Sequence, residues 1–252
     1  MEVSVVIPNF NGIAFLDSVL ASLEGQTLNN FEVILVDNGS TDGSCSFVTA
    51  NYPWVHLIEL SENFGFCGAV NAGIRAAKAP YVLLLNNDTE VKEDFVEEML
   101  AAIRRHKNAF SCGARMVQYH DRDKLDDVGN YYCALGWSFA RGRGKDIHAY
   151  EAEDRIFSAC AGAAIYRKKI LEKIGYFDEE HFAYLEDTDI GYRARIYGYE
   201  NWYAPKAIVY HVGSGTSGSR YNQFKTRYSS RNNIYLIYKN MARWQILINL
   251  PF

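Results

Sequence analysis

The feature that most constrains this chain is a repeated rhythm: a short apolar run, a polar turn, then a segment of helical spacing. Val82-Leu83-Leu84-Leu85 runs without a charge into Asn86-Asn87-Asp88-Thr89. A run that short and apolar reads as a strand covered on both faces, as in a parallel sheet. The same rhythm opens the chain, where strand 3–7 ends in Pro8-Asn9-Phe10-Asn11-Gly12. It returns in strand 31–36, which ends in Asp37-Asn38-Gly39-Ser40-Thr41-Asp42-Gly43-Ser44, and in strand 56–60, which leads to Asn63-Phe64-Gly65-Phe66-Cys67-Gly68. Ile13, Leu16, Leu20 and Leu23 keep helical spacing, with Asn11 placed to cap that helix. Further helices are predicted over 69–77 and 92–105, the latter with Phe95, Val96, Met99, Leu100 and Ile103 on one face. Strand and helix in alternation predict an α/β fold, a mostly parallel sheet wound by right-handed crossovers with helices on both faces.

Open α/β sheets bind ligands outside the carboxyl ends of their strands. The turns at 8–12, 37–44 and 86–89 therefore share one edge. Asn86-Asn87-Asp88 at that edge is a candidate oxygen-ligand site for a hard divalent cation. The alternative is a turn in which Asp88 or Thr89 caps the next helix. A carboxylate on the second turn can accept hydrogen bonds from a base or ribose. The G-x-G-x-x-G fingerprint is absent after the first strand, and no Gly-Lys-Ser/Thr phosphate loop occurs. A nucleotide site of another type is the better reading.

Composition narrows the class. The 252 residues are 48% hydrophobic and 22% charged, enough for one large domain, or a domain plus an extension. A net charge of −4 argues against nucleic-acid binding by bulk electrostatics. Five scattered cysteines form no C-x-x-C pair, so neither a zinc site nor a disulfide framework is indicated, and a reducing, cytoplasmic setting is expected. The N-terminus carries no signal-peptide pattern, and no run approaches the ~20 apolar residues of a membrane span.

A second chemical cluster lies at Phe182-Ala183-Tyr184-Leu185-Glu186-Asp187-Thr188-Asp189. Three acids in four residues open a helix whose face continues through Ile190, Ala194 and Tyr197. Acids in a first turn are stabilised by free N–H groups and the macrodipole, so capping by Asp187 or Thr188 and an Asp189–Arg193 pair would account for them. One acid would suffice for capping, however, and the aromatic run before it suggests a cleft wall. The segment 118–155 is a long polar insertion, either functional or mobile. Its basic run Arg141-Gly142-Arg143-Gly144-Lys145 reads as a solvated loop, with an anion site as the alternative. His120, His148 and His181 lack metal spacing and read as surface or satisfied histidines. The 214–220 loop, rich in Gly and Ser, is expected to be flexible and able to close over a ligand. The apolar end at 244–252, beside Lys239 and Arg243, looks like an interfacial anchor for a membrane surface, or a helix packed on the domain or on a second copy in a homodimer.

Val-Ile-Pro-Asn-Phe-Asn-Gly (6–12), Val-Asp-Asn-Gly-Ser-Thr-Asp-Gly-Ser (36–44), Asn-Phe-Gly-Phe-Cys-Gly-Ala-Val-Asn-Ala-Gly (63–73) and Leu-Leu-Asn-Asn-Asp-Thr (84–89) together resemble glycosyltransferase family 2. The nearest resemblance is to its bacterial rhamnosyltransferase-like and galactofuranosyltransferase-like members, over about residues 3–240. The resemblance implies a GT-A fold at 1–213, with a nucleotide-binding half at 1–118, an acceptor-side half at 119–213 and a helical extension at 214–252. It implies an inverting transfer from a UDP- or dTDP-sugar, dTDP-rhamnose among them. The acceptor would be a glycan or lipid-linked molecule of cell-surface polysaccharide synthesis, and the cofactor Mn2+ or Mg2+. Carried over residue by residue, Pro8, Asn9 and Asn11 border the nucleotide pocket and Asp37 bonds the pyrimidine. Asn63, Gly68 and Asn71 contact the nucleotide or donor sugar. Asn86, Asn87 and Asp88 stand where the family has Asp-x-Asp, so the charge of the first ligand is lost and coordination rests on Asp88. The Glu-Asp pair of the family places the catalytic base on Asp187. Glu186 would then bind the acceptor, bordered by Gly162 and Ala163, and His211 would complete the metal site. A sugar nucleotidyltransferase would want a basic loop after the first strand, which 8–12 lacks. A non-catalytic sugar-nucleotide-binding module is kept open by Asn86.

Overall fold

A computed structural model describes residues 1–213 and 222–249. Among these, ten strands form one sheet flanked by helices on both faces. The N-terminal half holds β1 (Val3–Asn9), α1 (Ile13–Glu24), β2 (Phe31–Asp37), α2 (Ser44–Asn51), β3 (His56–Glu59), α3 (Gly65–Ala76), β4 (Tyr81–Leu85), β5 (Thr89–Val91) and α4 (Phe95–Arg105). The C-terminal half holds β6 (Ala109–Gln118), β7 (Asp121–Asp127), β8 (Asn130–Tyr132), β9 (Ser138–Ala140), β10 (Asp154–Ile156), β11 (Ala163–Arg167), α5 (Lys168–Ile174), α6 (Glu186–Ile196) and β12 (Glu200–His211), with α7 (Gln223–Asn240) and α8 (Arg243–Asn249) after it.

The strand order is β10-β12-β6-β11-β4-β1-β2-β3, with β5 paired to β12 and β7 to β6. β3, β2, β1 and β4 run parallel, as the apolar runs predict. β11 enters antiparallel between β4 and β6, and β12 runs parallel to β6. Val3, Val5 and Ile7 pack on the layer of α1 and α4, while Val6 packs on the layer of α3. Both faces of β1 are thus sealed, which is why its sequence does not alternate.

Local expectations differ from the fold at identifiable places. Asn11 does not cap α1: it sits at φ 48, and the N–H of Ile13 is taken by Asp42 Oδ2 at 2.9 Å. The turn after β4 does not lead into a helix. It leads into β5, with Thr89 Oγ1 bonded to the Asn86 carbonyl at 2.7 Å, and α4 starts only at Phe95. The insertion after β6 is ordered, and its basic run is not uniformly solvated. Arg141 is buried, bonds Asp154 at 2.7 Å and lies over the rings of Tyr150 and Tyr203. His181 is neither exposed nor satisfied: it is fully buried with both ring nitrogens unbonded, and burial lowers its pKa. The 214–220 loop lies outside the described residues.

Candidate active site

Three turns meet at the carboxyl edge of β1, β2 and β4. Asn9 Nδ2 donates to Asp37 Oδ2 at 3.0 Å and to Ser40 Oγ at 3.3 Å, while its Oδ1 accepts from Asn87 Nδ2 at 2.7 Å. One buried amide therefore ties the first turn to the second and to the Asn-Asn-Asp turn. Asn11 joins from outside, its Oδ1 accepting the Thr41 N–H at 2.8 Å. Gly12 is required at this junction, since a Cβ there would stand 2.1 Å from Asn87 Nδ2. Asn38 was not singled out by sequence reasoning. Its amide spans Asn63 Oδ1 at 2.9 Å, the Gly65 carbonyl at 3.0 Å and the Phe64 N–H at 3.0 Å, which fixes the turn at 63–65. Gly68 lets α3 pass Phe64, whose Cβ would lie 2.6 Å from an added methyl. Pro8 is part of β1, half-buried beside these turns.

Asn71 is turned elsewhere. Both ends of its amide are engaged by the Phe177 backbone, at 2.8 and 3.1 Å, and Glu179 Oε1 lies at 2.9 Å. It ties α3 to the segment before the Glu-Asp pair. Asn86 also faces the other half: its N–H bonds the Gly162 carbonyl at 2.8 Å, and its side-chain amide lies over Gly162, 3.0 Å from where a Cβ would be. Antiparallel pairing of Ala163 with Leu85 creates this contact.

Asp88 meets His211 because β5 pairs with the end of β12, His211 opposite Thr89. His211 Nε2 lies 3.2 Å from Asp88 Oδ1, and Nδ1 lies 2.7 Å from Asp126 Oδ2. Asp126, on β7, was not anticipated. Burial alone would lower the His211 pKa, but the two carboxylates outweigh it and push it up to about 10. Burial would likewise raise Asp126, yet its bond to His211 and the Arg143 charge hold it below the usual carboxylate range. Among the described residues, no group of three or more His, Cys, Asp or Glu side chains converges as a metal cage. What converges is one carboxylate oxygen and one imidazole nitrogen, with a second carboxylate behind the ring. That donor set suits a divalent cation that takes the rest of its shell from oxygens outside the protein.

The acid pair opens α6. The cap residue is Leu185, with no side-chain cap bond, so neither Asp187 nor Thr188 is the cap. Asp187 Oδ1 accepts the Thr188 N–H at 2.6 Å, and Asn130 Nδ2 approaches Oδ2 at 3.4 Å. Asp189 is fully buried and pairs with Arg193 at 2.9 Å, the expected i,i+4 bridge. Glu186 is buried with Oε2 unbonded. Burial raises the pKa of both Glu186 and Asp187, with their mutual repulsion raising Glu186 further, while the Thr188 and Asn130 bonds pull Asp187 back. The backbone leading to the pair is strained: Phe182, Tyr184 and Leu185 hold φ of 61, 72 and 63 without being glycine. Such residues cost of order 1–3 kcal/mol each and persist only where surroundings enforce them.

Asp127 joins the two clusters. It adjoins Asp126 on β7, where the register with β6 shifts between Leu125 and Asp127. Burial drives its pKa well up, only partly offset by its bond to the Gly129 N–H, and the charges of Asp187 and Asp126 add to the rise. Two successive acids after Leu125 in a strand pattern were the legible signal for this pair.

The sequence profile described as glycosyl transferase family 2 matches residues 4–175. The chain belongs to this family. Among curated relatives of this glycosyltransferase, N-acetylglucosaminyl-diphospho-decaprenol L-rhamnosyltransferase of Mycobacterium tuberculosis is 25% identical over 96% of the chain and 86% of its own length. The uncharacterized glycosyltransferase YwdF of Bacillus subtilis is 29% identical over 77% of the chain and 68% of its own length. Among solved structures, GalNAc-T7 with UDP, GalNAc and Mn2+ superposes with TM-score 0.74 at 15% identity, over 94% of this chain and 48% of that one. TarS of S. aureus, residues 1–349, superposes with TM-score 0.63 at 20% identity, over 96% and 67%. These neighbours are GT-A glycosyltransferases, so the fold expected from the sequence is the fold found.

Proposed function

We propose that this family 2 glycosyltransferase moves a sugar with inversion from a UDP- or dTDP-sugar to a hydroxyl of a lipid-linked or glycan acceptor in cell-surface polysaccharide synthesis. The observation that carries the reading is the Asp126-Asp127 pair. One acid backs His211 beside Asp88, and its neighbour is near enough to Asp187 for that charge to raise its pKa, so one strand serves the cluster we assign to the diphosphate and the one we assign to the acceptor. The rhamnosyltransferase named above acts, by its name, on a diphospho-decaprenol acceptor, which supports a lipid-diphosphate acceptor here.

The roles follow from the surroundings. Asp88 and His211 would hold Mn2+ or Mg2+, with Asp126 orienting the imidazole through Nδ1. Such an ion, when bound, offsets charge gathering on the leaving diphosphate. Asp37, Asn9 and Asn63 line the turns that would receive the nucleotide. Of the acid pair, Glu186 is the more buried and keeps the proton, leaving Asp187 ionised and held by Thr188 and Asn130. Asp187 is then the general base that takes the acceptor's proton as its oxygen attacks the anomeric carbon.

The acceptor reading extends to a membrane surface. Residues 201–252 contain seven Lys or Arg and no Asp or Glu. No described helix is long and apolar enough to cross a membrane. Trp244, Leu247 and Ile248 share the outer face of α8, each about two-thirds exposed, and Trp137 on the β8–β9 hairpin is 56% exposed. The hairpin tip touches these helices, with the Ala134 carbonyl accepting from Gln245 and Asn249 at 2.8 and 2.7 Å. Basic charge with exposed aromatics suits an anionic bilayer. A two-fold dimer through this face would set like charge on like.

The test is a thermal-shift screen of UDP-, dTDP- and GDP-sugars, with and without Mn2+, followed by assay of nucleotide release. A pyrimidine sugar nucleotide should stabilise the fold, and more so with Mn2+. A flat response to every pyrimidine donor overturns the reading. Co-sedimentation with phosphatidylglycerol vesicles checks the membrane face, and no binding at low salt removes it.

A further inference from the structure

The acid pair is held from a distance. One stripe of α7, Phe224, Tyr228, Asn232, Tyr235 and Lys239, follows the 4-4-3-4 spacing of a helix face, and every member meets the segment 178–189. The Tyr228 ring stacks on Phe182 at 5.3 Å, and Phe224 lies at 6.3 Å from Phe182 and 6.1 Å from Tyr184. Tyr235 OH donates to Asp178 Oδ2 at 2.9 Å. Lys239 bridges Asp178 and Asp189 at 2.6 and 3.0 Å, and Asn240 donates to Asp189 Oδ1 at 2.7 Å. At the centre, fully buried Asn232 donates from its amide nitrogen to the carbonyls of His181, Ala183 and Tyr184 at 2.8, 2.9 and 2.7 Å.

Those carbonyls belong to the stretch in which Phe182, Tyr184 and Leu185 are left-handed. Locally the turn is closed by the Ala183 N–H on the His181 carbonyl at 2.7 Å, but α6 begins without a side-chain cap to hold Tyr184 and Leu185. The left-handed turns point the three carbonyls inward, and a single amide collects them. The same stretch touches the donor side, where the Cys67 N–H bonds the Phe182 carbonyl at 3.2 Å and Gly65 leaves room for the Phe182 ring.

We propose that Asn232 is a positioning residue for the glycosyl transfer: its amide holds the strained 181–185 backbone that presents Glu186 and Asp187 to the acceptor. The C-terminal helix α7 is thereby part of the catalytic apparatus. The inference rests on Asp187 being the base, as proposed above.

The experiment compares wild type, Asn232→Ala, Asn232→Ala with Leu185→Gly, Lys239→Gln and Asp187→Asn, in donor affinity, kcat, KM and the pH profile of transfer. With Asn232→Ala, kcat should fall ~10–100-fold with donor affinity within about twofold of wild type. The acid limb of the profile should move towards an ordinary carboxylate as the loop opens and Asp187 is hydrated. Leu185→Gly should restore part of kcat in the double variant, because glycine adopts the left-handed conformation without strain. Lys239→Gln, which leaves the buried amide in place, should show a smaller loss of kcat with the same unchanged donor affinity, and it serves if Asn232→Ala does not fold. Wild-type kcat and pH profile in folded Asn232→Ala overturn the proposal, as does wild-type kcat in Lys239→Gln if that is the variant measured. A lowered melting temperature with unchanged kcat makes the residue structural and also overturns it. If Asp187→Asn itself keeps wild-type turnover, the base assignment fails first, and the positioning role falls with it.

Discussion

Asp187→Asn separates chemistry from stability because the structure predicts opposite consequences for the two. The substitution keeps the side chain's shape, and the amide oxygen can still accept the Thr188 N–H that now lies 2.6 Å from Oδ1. Its new NH2 group would face the Asn130 amide nitrogen, 3.4 Å from Oδ2, so that contact is lost. At that length the loss is worth about 0.5–1 kcal/mol. Against it stands the removal of a charge from a crowded acid cluster. The Asp187 pKa is raised, chiefly by burial, so the ionised form costs the fold stability as pH rises through that raised value. Asparagine has no such cost, and it also relieves the repulsion that raises Glu186 and Asp127. The two effects are similar in size, so the net change should stay within about 1 kcal/mol, or ~2–4 °C in Tm for a chain of this length. Turnover should fall ~10²–10⁴-fold, or about 3–5 kcal/mol of transition-state stabilisation, since an amide cannot take the acceptor's proton. The assay is transfer rate, donor affinity and Tm for both proteins across mildly acid to neutral pH. Wild-type turnover in the folded variant, or a Tm loss that accounts for the lost activity, would refute the reasoning.

Mn2+ must displace the proton from His211, whose pKa stands at about 10, so apparent affinity should rise ~tenfold per pH unit between about pH 7 and 9, with one proton released per ion. Calorimetry in buffers of different ionisation enthalpy measures this, and a pH-independent affinity would exclude His211 as ligand. For the metal-free protein the raised pKa gives stability that is complete below about pH 6.5 and lost as pH rises through about 10, so Tm should decline there. Asp126→Asn removes the acid behind the ring: it should lower metal-free Tm at neutral pH and, as orienting contacts generally do, weaken Mn2+ binding or activity ~10–100-fold. Asp88→Ala should abolish metal-dependent donor binding while Asn86→Ala only weakens it, because Asp88 brings the charge and Asn86 lies over Gly162; equal calorimetric affinities for Asp88→Ala and wild type would contradict this. Gly12→Ala drives a methyl into Asn87 and Asn9, so donor affinity should fall while the acid pair is untouched, as paired donor titrations and a pH profile would reveal.

The chain's sequence alone determined the parallel half-sheet and its working edge. Sealed strands must be apolar throughout, and the turns at their carboxyl ends must be polar, so both appear as local patterns at 3–12, 31–44 and 82–89. The Glu-Asp pair was legible for the same reason, being contiguous. What only tertiary structure decided are the partners that arrive from far along the chain. Asp88 and His211 meet because β12 returns beside β5, and Asp126 reaches the ring because β7 folds back on β6. Asn71, placed by family resemblance at the donor, is drawn by Phe177 to the other side, since an amide follows whichever buried backbone needs it. Asn232 sits in a polar helix whose sequence gives no hint of chemistry. Its role exists because a stretch 48 to 51 positions earlier, bent by the left-handed Phe182, Tyr184 and Leu185, aims the carbonyls of His181, Ala183 and Tyr184 at it, and backbone direction is not written in side-chain periodicity.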